Sequence, residues 1–161
     1  ILKNKYNLYF NQFYFKCCVG KKGLTSKKLE GDQKTPKGIF ELGYLFYRKD
    51  RVKKPITGIT CKPIKKDMGW CYDFKDADNY NKLVSIKKVQ KSEKLFRLDY
   101  KYDYFIPILY NTNKRVPKKG SAIFLHLTKN YKGTAGCIAL KKRDFLILLK
   151  LINKKTKIKI N

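Results

Sequence analysis

Apolar and aromatic residues in this chain recur in short bursts separated by Lys, Gly, Asn and Asp, a rhythm that favours strands over helices. Residues 9–19 (YFNQFYFKCCV) read as a first strand or hairpin, and residues 20–37 as a long polar loop containing glycine. Residues 38–47 (GIFELGYLFY) return to an aromatic strand pattern. Residues 48–92 mix Lys, Pro and Asp with little periodicity, which predicts loops and short elements. Further strands are expected at 102–110 (YDYFIPILY), 121–127 (SAIFLHL) and 137–140 (CIAL). Pro107 lacks an N–H for the ladder and implies an edge or a bulge in the first of these. Residues 157–160 (KIKI) alternate as an edge strand with outward lysines would.

One segment breaks the rhythm. In 142–153 (KRDFLILLKLIN), Phe145, Leu148, Leu149 and Ile152 fall at helical spacing, and Leu146, Ile147 and Leu151 extend the apolar surface. A well-buried C-terminal helix is expected there. The class is therefore mainly β (α+β), with few other helices. A length of 161 residues suits one domain spanning 1–161.

Charge bounds the partners. The net charge of +27 favours anionic ones, whether nucleic acid, acidic lipid or cell-wall polymer. The lysines are spread along the chain rather than gathered in a stripe, and no nucleic-acid motif accompanies them, so no specific nucleic-acid partner is expected. Aromatic richness argues for a folded core despite the charge. No stretch approaches the ~20 apolar residues of a membrane helix. No signal-peptide pattern is visible, and whether Ile1 is a mature terminus stays open.

The chain has five cysteines and one histidine. With no C-x-x-C spacing and a single His, a metal site is not expected. Cys17 and Cys18 are adjacent in an apolar run and read as small buried residues on opposite faces of a strand. Cys137 differs. It follows His126 by eleven residues, enough for the chain to return beside the first strand and bring thiol and imidazole together. Thr134, Ala135 and Gly136 precede it, and a glycine there lets backbone N–H groups converge on an oxyanion. Alone, this pairing reads more readily as a structural cysteine and a satisfied histidine than as a catalytic pair.

The stretch GSAIFLHLTKNYKGTAGCIAL resembles the active-site motif of the L,D-transpeptidase (YkuD-type) catalytic domain, with His126, Thr134, Gly136 and Cys137 at its marked positions. EGDQKTPKGIF, with Glu30, Gly31, Asp32, Thr35, Pro36, Gly38 and Phe40, is similar to the family's T-P-x-G-x-[FY] region. YRKDR, GWCYD, Tyr80–Asn81 and FRLDYKYD resemble a compact bacterial branch. The chain departs from the pattern at Ala135, where a His is frequent, at Ala139, where Arg or Asn is frequent, and in a shorter His-to-Cys loop.

The resemblance implies a β-sandwich and a cysteine acyltransferase acting on peptidoglycan stem peptides without a cofactor, as a monomer in the periplasm or cell envelope. It implies Cys137 as nucleophile, His126 as its base, and the 134–136 turn as the oxyanion site. His126 would be oriented by a backbone carbonyl, an Asp or another side chain. Release of a terminal D-Ala and cross-linking to an amine is the implied reaction. An L,D-carboxypeptidase with the same residues and a non-enzymatic module for anionic polymer are the alternatives. Stem peptides carry carboxylates, so Arg48, Arg51 and Arg97 are candidate clamps, with ion pairs to Asp50 or Asp99 as the competing account. Trp70 reads as a packing anchor and Cys71 as structural.

Overall fold

The computed structural model describes residues 2–4 and 7–161, with side chains from residue 7 onward. The first burst folds as a hairpin, Asn7–Phe10 against Phe13–Cys18, turned by Asn11 at φ +51° and Gln12. Asn tolerates this left-handed conformation better than a branched residue. Cys17 then points into the core. Cys18 lies on the other face, its Sγ donating to the Lys132 carbonyl at 3.2 Å.

Ten strands make one sheet. Their order is Gly38–Glu41, Lys157–Ile160, Leu2–Asn4, Asn7–Phe10, Phe13–Cys18, Ile138–Leu140, Phe124–Leu127, Tyr104–Pro107, Leu45–Tyr47 and Cys61–Pro63. Beyond Glu41 the chain reaches the far half of the sheet. Leu42 bridges Ile108, and the Gly43 N–H donates to the Pro107 carbonyl at 2.8 Å. The sheet thus curls until its halves face one another as a sandwich.

Between the halves lies the main core, which includes Leu8, Phe15, Ile106, Leu125, Ile138 and Leu140. The single helix among the described residues, Lys142–Leu151, closes it with Phe145, Leu148 and Leu149. Each such side chain contributes about 1.5–3 kcal/mol by leaving water. Asp144 in the first turn suits the positive end of the helix dipole.

The central strands are buried on both faces. On the side away from the main core, Phe46, Phe105 and Phe124 form a second cluster with Trp70, Leu95 and Tyr102. Phe105 and Phe124 centroids stand 4.9 Å apart, and Trp70 meets Phe124 edge-on at 5.3 Å. A small sheet, Met68–Cys71 between Leu83–Ser85 and Ser92–Lys94, supplies this layer from the region expected as loops and short elements. Trp70 is an anchor with its Nε1–H on Asn81 Oδ1 at 2.8 Å, and Cys71 is fully buried.

Four boundaries differ from the sequence reading. Residues 38–47 are two strands, because the chain switches halves at Gly43, where an added Cβ would stand 3.3 Å from Leu109. Lys157–Ile160 is not an edge: it lies between Gly38–Glu41 and Leu2–Asn4, although its lysines do face outward. Tyr104–Pro107 is also interior. Its Pro107 sits at the strand end, beyond the reach of the Leu45–Tyr47 pairing, so the missing N–H disturbs no ladder there. The helix stops at Leu151, and Ile152 turns extended while its N–H still donates to Leu148.

Candidate active site

Strand alternation selects the site. Leu125 and Leu127 point into the main core, so Phe124 and His126 point to the other face. The strand Ile138–Leu140 lies parallel beside it with His126 opposite Ala139. Cys137, two residues before Ala139, therefore shares His126's face and stands opposite Phe124. The Phe124 N–H donates to Cys137 Sγ at 3.3 Å, and Sγ donates to the Ala122 carbonyl at 3.4 Å. Ala139 is fully buried opposite the imidazole, and its small side chain leaves that ring room.

Parallel neighbours usually need a crossover of a dozen or more residues. Here the connection is short and lies over the sheet face, so the loop itself becomes a wall. His126, Thr128, Thr134, Ala135, Gly136 and Cys137 all line one cavity of about 590 Å³. Cys137 is 8% exposed and His126 7%, so the pair is recessed in that cavity rather than laid on the surface.

Two motifs meet at the turn before Cys137. Thr35, fully buried, donates to the Gly136 carbonyl at 2.7 Å and accepts from the Gly20 N–H at 2.9 Å. Thr134 Oγ1 donates to the Cys137 carbonyl at 2.6 Å and accepts the Gly136 N–H at 3.1 Å. That last bond takes Gly136 out of the set of N–H groups free to hold an oxyanion. Gly136 has φ +148°, and an added Cβ would stand 3.0 Å from the Lys34 carbonyl oxygen. Only glycine fits without strain. The T-P segment and the T-A-G-C turn are a single structural unit.

The imidazole has a defined tautomer. His126 Nδ1 stands 2.9 Å from the Leu127 carbonyl oxygen. A carbonyl can only accept, so Nδ1 carries the proton and Nε2 presents a lone pair. Tyr102 packs edge-on to the ring at a centroid distance of 5.5 Å. Among the three orienting groups left open by the sequence, a backbone carbonyl fills the role.

Burial dominates the electrostatics. It pushes the Cys137 thiol up to about 12, with Glu93 adding to the rise, while the Phe124 N–H and Lys28 oppose it. Burial likewise lowers His126 to about 4, with Lys101 and Arg97 acting in the same direction. With both groups shifted this way, the site holds a neutral thiol and a neutral imidazole at ordinary pH.

The three arginines separate. Arg97 lines the cavity, with Nε and Nη2 on Asp99 at 3.0 and 2.6 Å. Arg48 does not line it. Arg48 is buried, forks onto Asp50 at 2.8 and 2.7 Å, stacks on Phe96 and donates to the Arg97 carbonyl. Arg51 also lies outside the lining and ties the 97–103 loop through the Leu98 and Asp99 carbonyls at 2.7 and 2.9 Å. All three make the ion-pair or loop-tying contacts of the competing account, and of the three Arg97 alone also lines the cavity.

Several residues in or beside the cavity were not singled out as site residues from sequence. Lys28 is buried, paired with Asp32 at 2.5 Å, its stem lying beside Gly120. Glu30 accepts from Tyr80 and Ser121, both at 2.8 Å. Glu93 accepts from the Tyr102 hydroxyl. Asn81, at φ +55°, accepts the Ala122 N–H at 3.1 Å and so braces the carbonyl that holds the thiol. Glu30 and Asn81 stood in the family-like segments. Lys28 and Glu93 had no local signal in a chain this rich in lysine.

No helix among the described residues is long and apolar enough to cross a membrane. Neither the curated proteins nor the solved structures contain a match to this chain. A family model does match. The L,D-transpeptidase catalytic domain (YkuD), an enzyme family acting on peptidoglycan peptides, covers residues 3–160, nearly the whole length, with the mainly β architecture described above. The chain belongs to the L,D-transpeptidase catalytic domain family.

Proposed function

We propose that this chain is a peptidoglycan L,D-transpeptidase, a single catalytic domain working as a monomer in the periplasm or cell envelope. The observation that carries the reading is a thiol and an imidazole on one sheet face, opening into one cavity, with Nε2 left as an acceptor. Family membership supports the reaction class.

In the first half, Cys137 sulfur attacks the carbonyl that joins the stem's third residue to a terminal D-Ala. Its proton passes to His126 Nε2. The N–H groups of Ala135 and Cys137 hold the oxyanion, since Gly136 is engaged by Thr134. Each donor in such a site is worth roughly 3–4 kcal/mol. When the C–N bond breaks, His126 returns the proton to the departing D-Ala amine and a thioester stays on Cys137. In the second half an acceptor amine attacks the thioester, gives its proton to His126 and forms the cross-link. The thiolate leaving group then recovers that proton. Arg97 serves as the carboxylate clamp of the donor stem.

Starting from a neutral pair suits this scheme, because the proton moves as the bond forms rather than beforehand. The test is to incubate the protein with purified tetrapeptide muropeptides and weigh the products. A dimer lacking one alanine supports the reading. A trimmed monomer in its place would replace it with a carboxypeptidase using the same residues. No product from wild type, or equal product from Cys137→Ala, would overturn it.

A further inference from the structure

Strand alternation builds a second surface at the other end of the long sheet. From Gly38–Glu41, Lys157–Ile160, Asn7–Phe10 and Phe13–Cys18, the side chains of Phe40, Ile158, Leu8 and Phe15 pack into the main core. Their neighbours in sequence therefore point outward, with Ile39 opposite Lys159 and Tyr9 opposite Tyr14. No described layer covers this face. Tyr14 is 72% exposed and Ile39 63%, and Lys16 and Lys159 are exposed beside them. Tyr9 meets Tyr14 edge-on at 4.7 Å, which fixes the ring in place.

The charge on this face has one sign. Among its described outward side chains the one acid is Glu41, and Lys157 stands 3.5 Å from it. Lys16 and Lys159 pair with no described carboxylate. Lys16 instead lies over the Tyr131 ring at 5.0 Å, and Lys141 approaches the same ring at 5.5 Å, which extends the positive edge. A soluble polyanion would engage these lysines but leave Ile39 and the Tyr14 ring without a partner. A bilayer with anionic headgroups satisfies both kinds of group. Lysines meet headgroup phosphates, tyrosine rings sit at headgroup level, and an aliphatic side chain reaches the acyl boundary.

We infer that this face docks the domain on an anionic lipid surface, Lys16 and Lys159 contacting headgroup phosphates while Tyr14 and Ile39 enter the boundary beneath them. The docking is peripheral and reversible. It uses no residue that lines the cavity, so it stands or falls independently of the acyl-transfer reading.

The test measures co-sedimentation of the whole chain with vesicles of phosphatidylglycerol and phosphatidylcholine, or of phosphatidylcholine alone. Wild type should prefer the anionic vesicles by at least roughly tenfold. Lys16→Gln with Lys159→Gln should weaken that binding roughly tenfold or more. Lys87→Gln with Lys88→Gln removes the same charge from exposed positions beside the small sheet, and should weaken it less than about threefold. Tyr14→Ser with Ile39→Ser, which leaves the net charge alone, should weaken it about tenfold. All these side chains are exposed, and circular dichroism melting checks that each variant is folded. Equal losses from the two lysine pairs would overturn the inference, because diffuse charge would then account for binding. Equal binding to both vesicle types, or full binding by the Tyr14 and Ile39 variant, overturns it too. Inorganic polyphosphate chains supply the same phosphate chemistry without a bilayer. If wild type binds them and the Tyr14 and Ile39 variant loses that binding equally, the face belongs to a soluble polyanion and the lipid reading is overturned.

Discussion

The strands Phe124–Leu127 and Ile138–Leu140 have two faces that differ by one residue of register. Leu125, Leu127, Ile138 and Leu140 enter a core of aliphatic side chains, with no titratable group among these four. Phe124, His126, Cys137 and Ala139 meet aromatic rings, a cavity and every ionisable group of the site. The same backbone serves both, since period-two alternation sends neighbours to opposite sides. Rigidity comes from the first face and chemistry from the second. A group held by a packed strand needs little ordering when substrate arrives.

Removing a residue from each face should separate these roles. Cys137→Ala should cut product formation roughly 10⁴-fold or more while its melting temperature stays close to that of wild type. Product formation is followed by mass spectrometry and melting by circular dichroism. A Cys137→Ala chain that unfolds would erase the distinction between the faces.

The neutral pair on the cavity face makes a kinetic prediction. With the thiol at about 12 and the imidazole at about 4, the site carries little thiolate near neutrality. Alkylation of Cys137 by iodoacetamide should therefore climb about tenfold per pH unit from 7 to 10, as the thiolate fraction grows. A plateau already reached at pH 7 would mean a resting ion pair.

On the core face, Leu125→Ala should cost about 2–5 kcal/mol in urea unfolding through lost transfer energy and a residual cavity. Its activity per folded molecule should be retained. Loss of activity without loss of stability would show that the core face also tunes the site.

The joint between the two motifs should behave in between. Thr35→Val keeps the shape but strands the Gly136 carbonyl and the Gly20 N–H, for about 1–3 kcal/mol. Because Gly136 sets the backbone just before Cys137, the proposed nucleophile, kcat should fall more than KM rises. A change confined to the melting curve would make Thr35 part of the scaffold alone.

Legibility in the sequence followed the range of the forces involved. The hairpin at 9–19, the short strands carrying His126 and Cys137, and the helix at 142 onward were readable because period-two and helical spacing are local. The clean edge assigned to 157–160 was not, since the lysine pattern reports which face is wet and not whether a neighbour pairs with the strand. Pro107 misled in the same way, as a missing N–H is harmless wherever the partner strand has already ended. Within the site, His126, Cys137 and the 134–136 turn stood out through residue type and order. Arg48, Arg51 and Arg97 looked equivalent by chemistry, and only their partners distinguish the one that reaches the cavity.

By itself, then, the order of residues determined a strand-rich chain with a C-terminal helix, and a thiol and an imidazole on or beside neighbouring strands. It also specified a glycine at the position where φ turns positive. The tertiary structure decided which carbonyl fixes the imidazole, which N–H groups are already engaged, and that Glu93 shares the cavity with the thiol. Those depend on contacts between residues far apart in the chain, such as Thr35 with Gly136 and Tyr102 with Glu93. Such contacts form only when the sheet curls and brings distant segments within hydrogen-bond range, and no local pattern encodes them.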